Sequence, residues 1–384
     1  MDINNSLGAL LENLSEVADP RKPYKTCYPL KEILFLTISA VVSDCTTWQE
    51  VVDFGTDKLG WLRKYLPYED GIPSHDTINR VFSLIDKEAF EVMFTQWAQQ
   101  GLKLPPGTLI NIDGKKLRSS ATKQEQQTSR SEGGKGAIHL VEAWCSDLSL
   151  CLSVREVDQK ANEIIAIPLI LNDLDVEGCV ISIDAIGCQK NIVDQIRGKQ
   201  ADYLLGLKLN QETLFVATQQ VFESFGQGYN DKTLHKSTDV DHGRIEERVC
   251  RVLSASLLPD WAKVPDWKDL NSLIEIESER IIMSSGVVMR EKRYYISSLQ
   301  IPAEKIGAYV RGHWNIENQL HWSLDVFFRE DYSTKQVKNA AANFGTVLRI
   351  ALNLIKTHPE DASLKRKLKK CSRDDFYREK TLRI

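Results

Sequence analysis

The chain has 384 residues, and its 49 Lys and Arg against 53 Asp and Glu give a formal net charge of −4. This length exceeds that of one ordinary domain and predicts two or three. With 42% hydrophobic and 27% charged residues, the composition is that of an average globular protein and excludes a chain that is disordered throughout. The slightly acidic balance argues against a protein that coats nucleic acid non-specifically, so any nucleic-acid contact must use local basic patches.

The sequence shows no sign of membrane insertion or secretion. Its longest apolar runs, such as 33–42 and 164–171, fall well short of the roughly 18 residues that span a bilayer. Met1 is followed by Asp2, without the basic start and apolar stretch of a secretory signal. Eight cysteines are scattered with no C-x-x-C pair, which favours buried thiols over disulfides or a zinc site. We therefore expect a soluble cytoplasmic protein with no membrane partner.

The first part of the chain has the three-and-four spacing of apolar residues that is typical of helices. We predict an all-helical N-terminal domain over 1–103 that takes part in DNA binding. Within it, residues 74–82 follow a Gly-Ile-Pro turn and begin with a capping serine before an amphipathic turn. Two interpretations are open for this segment: a helix-turn-helix that reads DNA, or an ordinary small helical bundle.

A new domain begins at Leu104-Pro105-Pro106-Gly107, because two prolines and a glycine end a helix and cannot open a central strand. Over 104–227 the pattern predicts the element order β-β-β-α-β-α-β-α. The order is interrupted over 118–136 by a polar, glycine-rich stretch with several basic residues, which predicts a flexible basic loop.

Three more segments complete the chain. Long alternating runs over 228–300 predict a β-rich insertion, and helical spacing returns over 301–356. Residues 357–384 form a basic tail, since ten Lys and Arg outnumber five Asp and Glu from Lys356 to the end. This tail contacts phosphates in one interpretation and is a solvated terminal helix in the other.

Two aspartates stand out because each is the only charge at the end of an apolar run. Asp113 ends Ile110-Asn111-Ile112-Asp113, and Asp184 follows Val180-Ile181-Ser182-Ile183. A carboxylate at the carboxyl end of a buried strand lies at the edge of the sheet where ligand sites concentrate in α/β folds. Taken singly, each residue is better explained as an aspartate that starts a turn or caps a helix.

Glu317 is the third acid of interest, in a helical run where it is flanked by Ile316 and Leu320. This flanking predicts that Glu317 lies near the face that packs on the sheet, where an unpaired carboxylate is costly. The alternatives are an intrahelical salt bridge or exposure to solvent.

Three converging carboxylates without Cys or His would suit magnesium or manganese. Two such ions support in-line attack on a phosphodiester.

These residues carry a resemblance to a known family. Asp113, Asp184 and Glu317 resemble the acid triad of DDE transposases with a ribonuclease-H-like core. The acids lie 71 and 133 residues apart. The second gap is too long for the bare fold, and the resemblance implies a β-rich insertion before the Glu helix, as in one large class of bacterial insertion-sequence enzymes.

More narrowly, the chain is similar to the H-repeat-associated transposases. The matching stretches are Asp19-Pro20-Arg21, Ile112-Asp113-Gly114-Lys115, Asn162-Glu163-Ile164, Asp184-Ala185, His242-Gly243-Arg244-Ile245-Glu246 and Arg311-Gly312-His313-Trp314-Asn315-Ile316-Glu317-Asn318. The wider class usually has an Arg four residues before the Glu and a Lys seven after it. Here those positions hold His313 and Leu324. Either Arg311 or His313 is then the candidate for binding the DNA ends in their place.

The resemblance implies an α/β fold, a ribonuclease-H-like catalytic core with a β-rich insertion and an all-helical N-terminal domain before it. It implies metal-dependent cleavage and joining of double-stranded DNA at the terminal inverted repeats of the element and at target DNA, by a homodimer. Asp113, Asp184 and Glu317 would hold two Mg²⁺ or Mn²⁺ ions. The weaker DNA-contact residues are Lys115, Lys116, Arg118, His242, Arg244, Arg311 and His313.

Two rival functions belong to other classes. One is a catalytically silent DNA-binding protein derived from a transposase, against which the presence of all three acids argues. The other is a hydrolase that uses Asp113 and Asp184 as acid and base on a substrate other than nucleic acid, for which metal-independent activity without DNA affinity would speak.

Overall fold

In a computed structural model of the chain, the described residues are 7–117, 138–157, 163–226, 228–241, 243–262, 266–333, 335 and 337–384. The chain forms two compact units. The first, which we call the helix-rich unit, consists of Met1–Lys103, Gly114–Leu174 and Glu317–Ile384. The second, the sheet unit, consists of Leu104–Asp113 and Asp175–Ile316.

The α-helices are numbered here in chain order. They are α1 Leu7–Glu16, α2 Leu30–Val41, α3 Trp48–Asp57, α4 Leu59–Leu62, α5 His75–Leu84, α6 Lys87–Gln99, α7 Glu163–Asp173, α8 Lys190–Gly198, α9 Glu212–Phe225, α10 Ala303–His313, α11 Trp322–Val326, α12 Ala340–Lys356, α13 Leu364–Arg373 and α14 Asp375–Leu382. A π-helix, Ile316–His321, lies between α10 and α11.

The strands are also numbered in chain order. They are β1 Leu109–Lys116, β2 His139–Cys145, β3 Leu150–Val157, β4 Val180–Ile183, β5 Asp202–Leu207, β6 Leu234–Asp241, β7 Arg244–Ser254, β8 Ser272–Ile282 and β9 Val288–Ser297. The last three residues of β1 are counted with the helix-rich unit.

The core of the helix-rich unit is built around α12. Every residue of this helix but its last is buried, as expected for a helix that is apolar on nearly all sides. It packs against α2, α5, α6 and β3. Local signals set the ends of the surrounding helices: Thr47 and Glu50 form a reciprocal capping box at α3, and Ser74 caps α5.

The sheet unit has the strand order β1-β4-β5-β9-β8-β7-β6. The pairs β1–β4 and β4–β5 are parallel, whereas the pairs from β5–β9 to β6–β7 are antiparallel. Helix α10 packs on this sheet through Ala303, Ile306 and Val310, which join Leu109, Val180 and Ile274 in one apolar cluster. The strands β6 to β9 therefore extend the same sheet through the β5–β9 pair.

The predicted order β-β-β-α-β-α-β-α is confirmed by β1, β2, β3, α7, β4, α8, β5 and α9. The long alternating runs within 228–300 form β7, β8 and β9, and β6 is an additional strand that shows no such run. The described residues before 104 are helical where they have regular structure. The domain boundaries themselves remain predictions, and the basic loop over 118–136 lies outside the described residues.

The end of the chain differs from a solvated terminal helix. Helices α13 and α14 pack against each other and against α12. Arg378 is fully buried, donates to the Cys371 carbonyl at 2.7 Å and lies over the Trp61 ring at 4.2 Å. Of the two interpretations of the tail, a solvated terminal helix does not agree with this packing, and contact with phosphates stays a prediction. Separately, none of the helices in the described ranges is both long and apolar enough to cross a lipid bilayer.

Candidate active site

The two aspartates singled out in the sequence occupy matched positions in the sheet unit. The parallel pair β1–β4 runs in register from Leu109 opposite Val180 to Ile112 opposite Ile183. Asp113 and Asp184 are the next residues after this paired segment, on neighbouring strands that lie about 4.8 Å apart. Asp184 directly follows β4, whereas Asp113 lies inside β1, which continues to Lys116, so the expectation that Asp113 ends its strand is wrong. Both side chains are partly exposed. The register thus places the two residues side by side on adjacent strands, and their role as catalytic carboxylates stays a prediction.

Asp184 also has the structural role that the alternative interpretation gave it. Its Oδ1 accepts a hydrogen bond at 2.9 Å from the Ile186 amide and so caps the short 3₁₀ turn that follows β4. Gly206 on β5 allows this turn to come close, since a Cβ there would lie 3.0 Å from the Ala185 nitrogen. Asn210 donates to the Ala185 carbonyl at 2.6 Å. Capping thus fixes one oxygen of Asp184 and the direction of its carboxylate.

The end of α10 is fastened to the same two strands, two residues before each aspartate. Asn111 on β1 donates to the Gly312 carbonyl at 2.9 Å, and the Ser182 hydroxyl on β4 lies 2.8 Å from His313 Nδ1. Gly312 has little room, because a Cβ there would lie 2.5 Å from Leu109 Cδ2. The site edge of the sheet and the end of α10 are therefore held as one piece.

His313 is a neutral link in this arrangement. Burial lowers its pKa to about 4, and the charge of Asp184, which opposes this, is too weak to restore the usual value. At neutral pH the imidazole is uncharged and its Nδ1 is engaged with Ser182. This arrangement gives His313 a positioning role inside the sheet unit.

Glu317 lies on the π-helix Ile316–His321 and belongs to the helix-rich unit. Its side chain is exposed, whereas Ile316 and Leu320 beside it are fully buried. The expectation that Glu317 lies on the buried face is therefore wrong, and the argument that burial demands a partner does not apply. The π-helix places one extra residue in the turn, which shifts Glu317 away from the apolar stripe that its neighbours follow.

A buried ionic network supports the helix that carries Glu317. Arg349 on α12 is fully buried, donates to Glu142 at 2.7 Å and forms an ion pair with Glu330. His321 Nε2, four residues after Glu317, lies 2.9 Å from the second oxygen of Glu142. Burial would raise the pKa of Glu142, but Arg349 and His321 outweigh it and lower the pKa to about 2.

Lys115 belongs to the same network, contrary to its predicted role as a DNA contact. It is 6% exposed, and its ammonium lies 2.6 Å from Asp325 and 2.8 Å from Glu330. Burial would lower its pKa, yet the neighbouring carboxylates raise it. Because its ammonium is engaged in internal ion pairs, Lys115 is a structural cation on β1, the strand that also carries Asp113.

The other predicted DNA-contact residues differ in their accessibility. Lys116 and Arg244 are exposed, and Arg311 is more than half exposed, with Asp239 at 3.4 Å. Arg118 and His242 lie outside the described residues.

Several residues of this region were not predicted. Glu163, the first residue of α7, is buried against Gly114, the residue after Asp113, and a Cβ at Gly114 would collide with the Glu163 carboxylate. Glu142 and Arg349 are each a single charge in an apolar run, and Glu330 lies between Arg329 and Asp331, so none of the three carried a local signal. Within the described ranges, no group of three His, Cys, Asp or Glu residues is arranged to hold a metal ion.

Comparisons with known proteins agree with the resemblance. A family model described as the transposase DDE domain matches residues 105–354, and one described as DDE_Tnp_1-associated matches residues 11–98. The solved structure of a piggyBac transposase synaptic complex with hairpin DNA aligns with 98% of this chain and 80% of its own, at 10% identity and a TM-score of 0.44. A likeness at this level does not decide the fold.

Curated relatives match over nearly the full length. YncI of Escherichia coli O157:H7, named as a transposase, is 38% identical over 98% of this chain and 95% of its own. YhhI of E. coli K12, named as an H repeat-associated transposase, is 37% identical over 97% of both chains. YbfQ of E. coli K12, named an inactive transposase, is 44% identical over 20% of this chain and 92% of its own. The chain therefore belongs to the DDE transposase family and is a transposase of the insertion-sequence type.

Proposed function

We propose that this protein cleaves and joins DNA strands at the ends of its insertion sequence, with Asp113, Asp184 and Glu317 as the catalytic carboxylates. The observation that carries the proposal is the β1–β4 register, which puts Asp113 and Asp184 at equivalent positions of adjacent parallel strands. Glu317 joins them by the family resemblance. The proposed core is ribonuclease-H-like.

The donor set suits hard divalent cations. Asp113 and Asp184 offer oxygen ligands only, and the thiol nearest to Asp184 in sequence, Cys188, is fully buried with its pKa raised by burial to about 12. Asp113, Asp184 and Glu317 would hold two Mg²⁺ or Mn²⁺ ions. When bound, such ions activate the attacking oxygen and stabilise the leaving oxygen of an in-line phosphoryl transfer.

The protein's own residues contribute to the proposed reaction by positioning the catalytic groups and the DNA. The capped turn after β4 fixes the direction of the Asp184 carboxylate, and the Asn111 and Ser182 contacts hold the end of α10 at the same sheet edge. Lys116, Arg244 and Arg311 are exposed cations for double-stranded DNA at the terminal inverted repeats and at the target. Two copies would act together, because an element has two ends to cut and join.

The first prediction tests the acids one at a time. We expect Asp113→Asn, Asp184→Asn and Glu317→Gln each to reduce Mg²⁺-dependent cleavage at least about 1,000-fold, since ligands that act as a unit are not additive. The assay measures nicking of a plasmid that carries both element ends, and anisotropy measures binding of end DNA, which we expect to stay within about threefold.

Asp194→Asn is the matched control, because Asp194 is an exposed aspartate on α8 away from the strand ends. Near-full cleavage by one of the three variants would remove that residue from the site. Tight binding of end DNA by the native protein, with no cleavage in Mg²⁺ or Mn²⁺, would contradict the proposal and support a catalytically silent DNA-binding protein.

A further inference from the structure

The helix-rich unit contains a cavity of about 230 Å³ that none of the catalytic acids lines. It lies where α3 and α5 meet the segment that leads into α12, and it is large enough for several water molecules or one nucleobase. The lining residues that matter below are Trp48, Asn79, Arg329, Tyr332, Lys335 and Phe344. The cavity thus includes α5, the helix considered above as part of a DNA-reading element.

Lys335 supplies a buried positive charge in the cavity wall. It is 6% exposed, donates to the Thr46 carbonyl at 2.6 Å, and its ammonium stands 3.7 Å from the centre of the Phe344 ring and 4.8 Å from that of Trp48. Across the described ranges, no carboxylate lies within 4.0 Å of this ammonium. Burial lowers its pKa to about 8. The charge of Glu50 opposes this shift but does not cancel it. A buried cation that is only partly compensated is costly, and an anionic ligand offsets that cost.

The mouth of the cavity adds more positive charge. Arg329 is exposed and takes the left-handed conformation, with φ of 52°, which is uncommon for a residue with a side chain. Arg329, Lys365 and Lys369 are all close enough to Asp44 to lower its pKa, although burial outweighs them and raises it. Arg329 therefore adds a second, exposed cation to the lining of the cavity.

The walls also suit a planar aromatic ring. Tyr332 at the mouth is 78% exposed, an unusual state for an aromatic side chain beside a cavity. Trp48 is held in place by its indole nitrogen, which donates to Asn79 Oδ1 at 3.0 Å. That bond leaves the amide nitrogen of Asn79 without a hydrogen bond to any described residue, so a donor for a polar ring edge remains.

We propose that this cavity receives one unpaired nucleotide of the DNA substrate, its base against Tyr332 and Trp48 and its phosphate on Lys335 and Arg329. Aromatic walls stack on a base, whereas a phosphate alone would use only the cations. A paired base cannot enter, so the nucleotide must leave the stack, which is easiest next to a break or a mismatch. The inference rests on the proposed function in one respect, that DNA is the substrate.

The test compares two duplexes that differ only in one unpaired nucleotide. The probes are element-end duplexes, one fully paired and one with a single-nucleotide bulge of 2-aminopurine, and binding to the full-length protein is measured in EDTA. We expect the native protein to prefer the bulged duplex at least about fivefold and to quench the 2-aminopurine fluorescence. Tyr332→Ala and Lys335→Gln should each lose the preference and the quenching.

Phe376→Ala is the matched control, because Phe376 is a 74% exposed aromatic residue of the same unit and does not line the cavity. Tyr332 is so exposed that its removal leaves folding unchanged, which keeps the test valid even where Lys335→Gln lowers the melting temperature. Equal affinity of the native protein for both duplexes, or a preference that survives in Tyr332→Ala, overturns the inference.

Loss of the preference in 10 mM inorganic phosphate, with no quenching in any sample, would mean an anion site only and would also overturn it. The result is independent of the catalytic proposal. Cleavage of element ends without any bulge preference contradicts this inference alone. A bulge preference in a protein that never cleaves contradicts the catalytic proposal alone.

Discussion

Arg349 is the residue on which the charge balance of the helix-rich unit depends. Its guanidinium is fully buried between Glu142 and Glu330, which are also almost completely buried. Through these two carboxylates it is linked to His321 on the π-helix of Glu317 and to Lys115 on the strand of Asp113. Replacing one member of such a network leaves the others charged and without solvent, which is costly.

We therefore expect Arg349→Met to destabilise the protein by about 3–5 kcal/mol, the usual cost of breaking a buried pair. The measurement is urea unfolding followed by circular dichroism at pH 7.5. Arg373→Met serves as the control, because Arg373 is exposed at the end of α13. Equal unfolding midpoints for the two variants would show that the network does not contribute to stability.

Glu142 gives this network a pH dependence. Its pKa is lowered to about 2 in the folded protein from an ordinary value of 4.5. A lowered carboxyl pKa means that its stabilisation is complete above about pH 4.5 and is lost as the pH falls towards 2. We expect Glu142→Gln to be less stable than the native protein at pH 7 and the two melting temperatures to converge between pH 4.5 and 2.

Thermal melting across this pH range measures the convergence, with Glu12→Gln, an exposed glutamate on α1, as the control. A constant difference in melting temperature from pH 7 to pH 2.5 would contradict the assignment.

Single residues also show how far the sequence could define the site. Asp113 and Asp184 could be paired from sequence because each follows an apolar run, and parallel pairing of the two runs brings the residues after them together. The exposure of Glu317 could not be predicted from the sequence. A helical wheel assumes 3.6 residues per turn, and the π-helix breaks that period. The internal role of Lys115 depends on Asp325 and Glu330, more than 200 residues away, which no local pattern reveals.

At the level of elements, the apolar strands and amphipathic helices of 104–227 were predictable because each buries one continuous face. Strand β6 was not, since its sequence Leu-His-Lys-Ser-Thr-Asp-Val-Asp has only two apolar residues. It exists because β7 supplies its pairing partners from Arg244 to Arg251. Tertiary pairing thus overrides a weak local preference.

The C-terminal helices are a second case in which composition was not enough, because the basic charge of the tail gave no sign that its helices pack on the rest of the unit. Besides Arg378, Glu379 of α14 accepts hydrogen bonds from the Trp61 indole at 2.9 Å and from the Tyr65 hydroxyl at 2.7 Å. Lys58 lies 2.8 Å from Asp375. These contacts make α13 and α14 part of the folded unit.

We therefore expect deletion of residues 364–384 to lower the melting temperature by about 10 °C or more, because several kcal/mol of packing are lost. Differential scanning calorimetry measures the change. The triple variant Lys365→Gln, Lys369→Gln and Arg373→Gln is the control, since it changes charges on α13 but not the packed face. A truncated protein that melts like the native one would show that the two helices are dispensable.

For the whole molecule, the net charge of −4 conflicts with a DNA substrate unless the cations are concentrated locally. Helix α13 provides one such concentration. Lys365, Lys369 and Arg373 are exposed and four residues apart, so they follow one face of the helix. Lys367 and Leu368 of the same helix are buried. Basic side chains that remain exposed on a packed helix are free to meet phosphates without any loss of folding energy.

We expect binding of element-end DNA to weaken steeply with salt despite the negative net charge, because each phosphate contact releases a counterion. In the Lys365, Lys369 and Arg373 triple variant, the slope of log affinity against log salt should fall by roughly 1 to 3, about 0.9 for each phosphate contact removed. Anisotropy titrations from 50 to 300 mM KCl give the slope.

A second triple variant, Lys22→Gln, Lys268→Gln and Lys305→Gln, removes the same charge from scattered exposed positions. If the two triple variants give the same slope, net charge and not the face of α13 governs binding. If only the α13 variant flattens the slope, DNA lies along the exposed face of that helix.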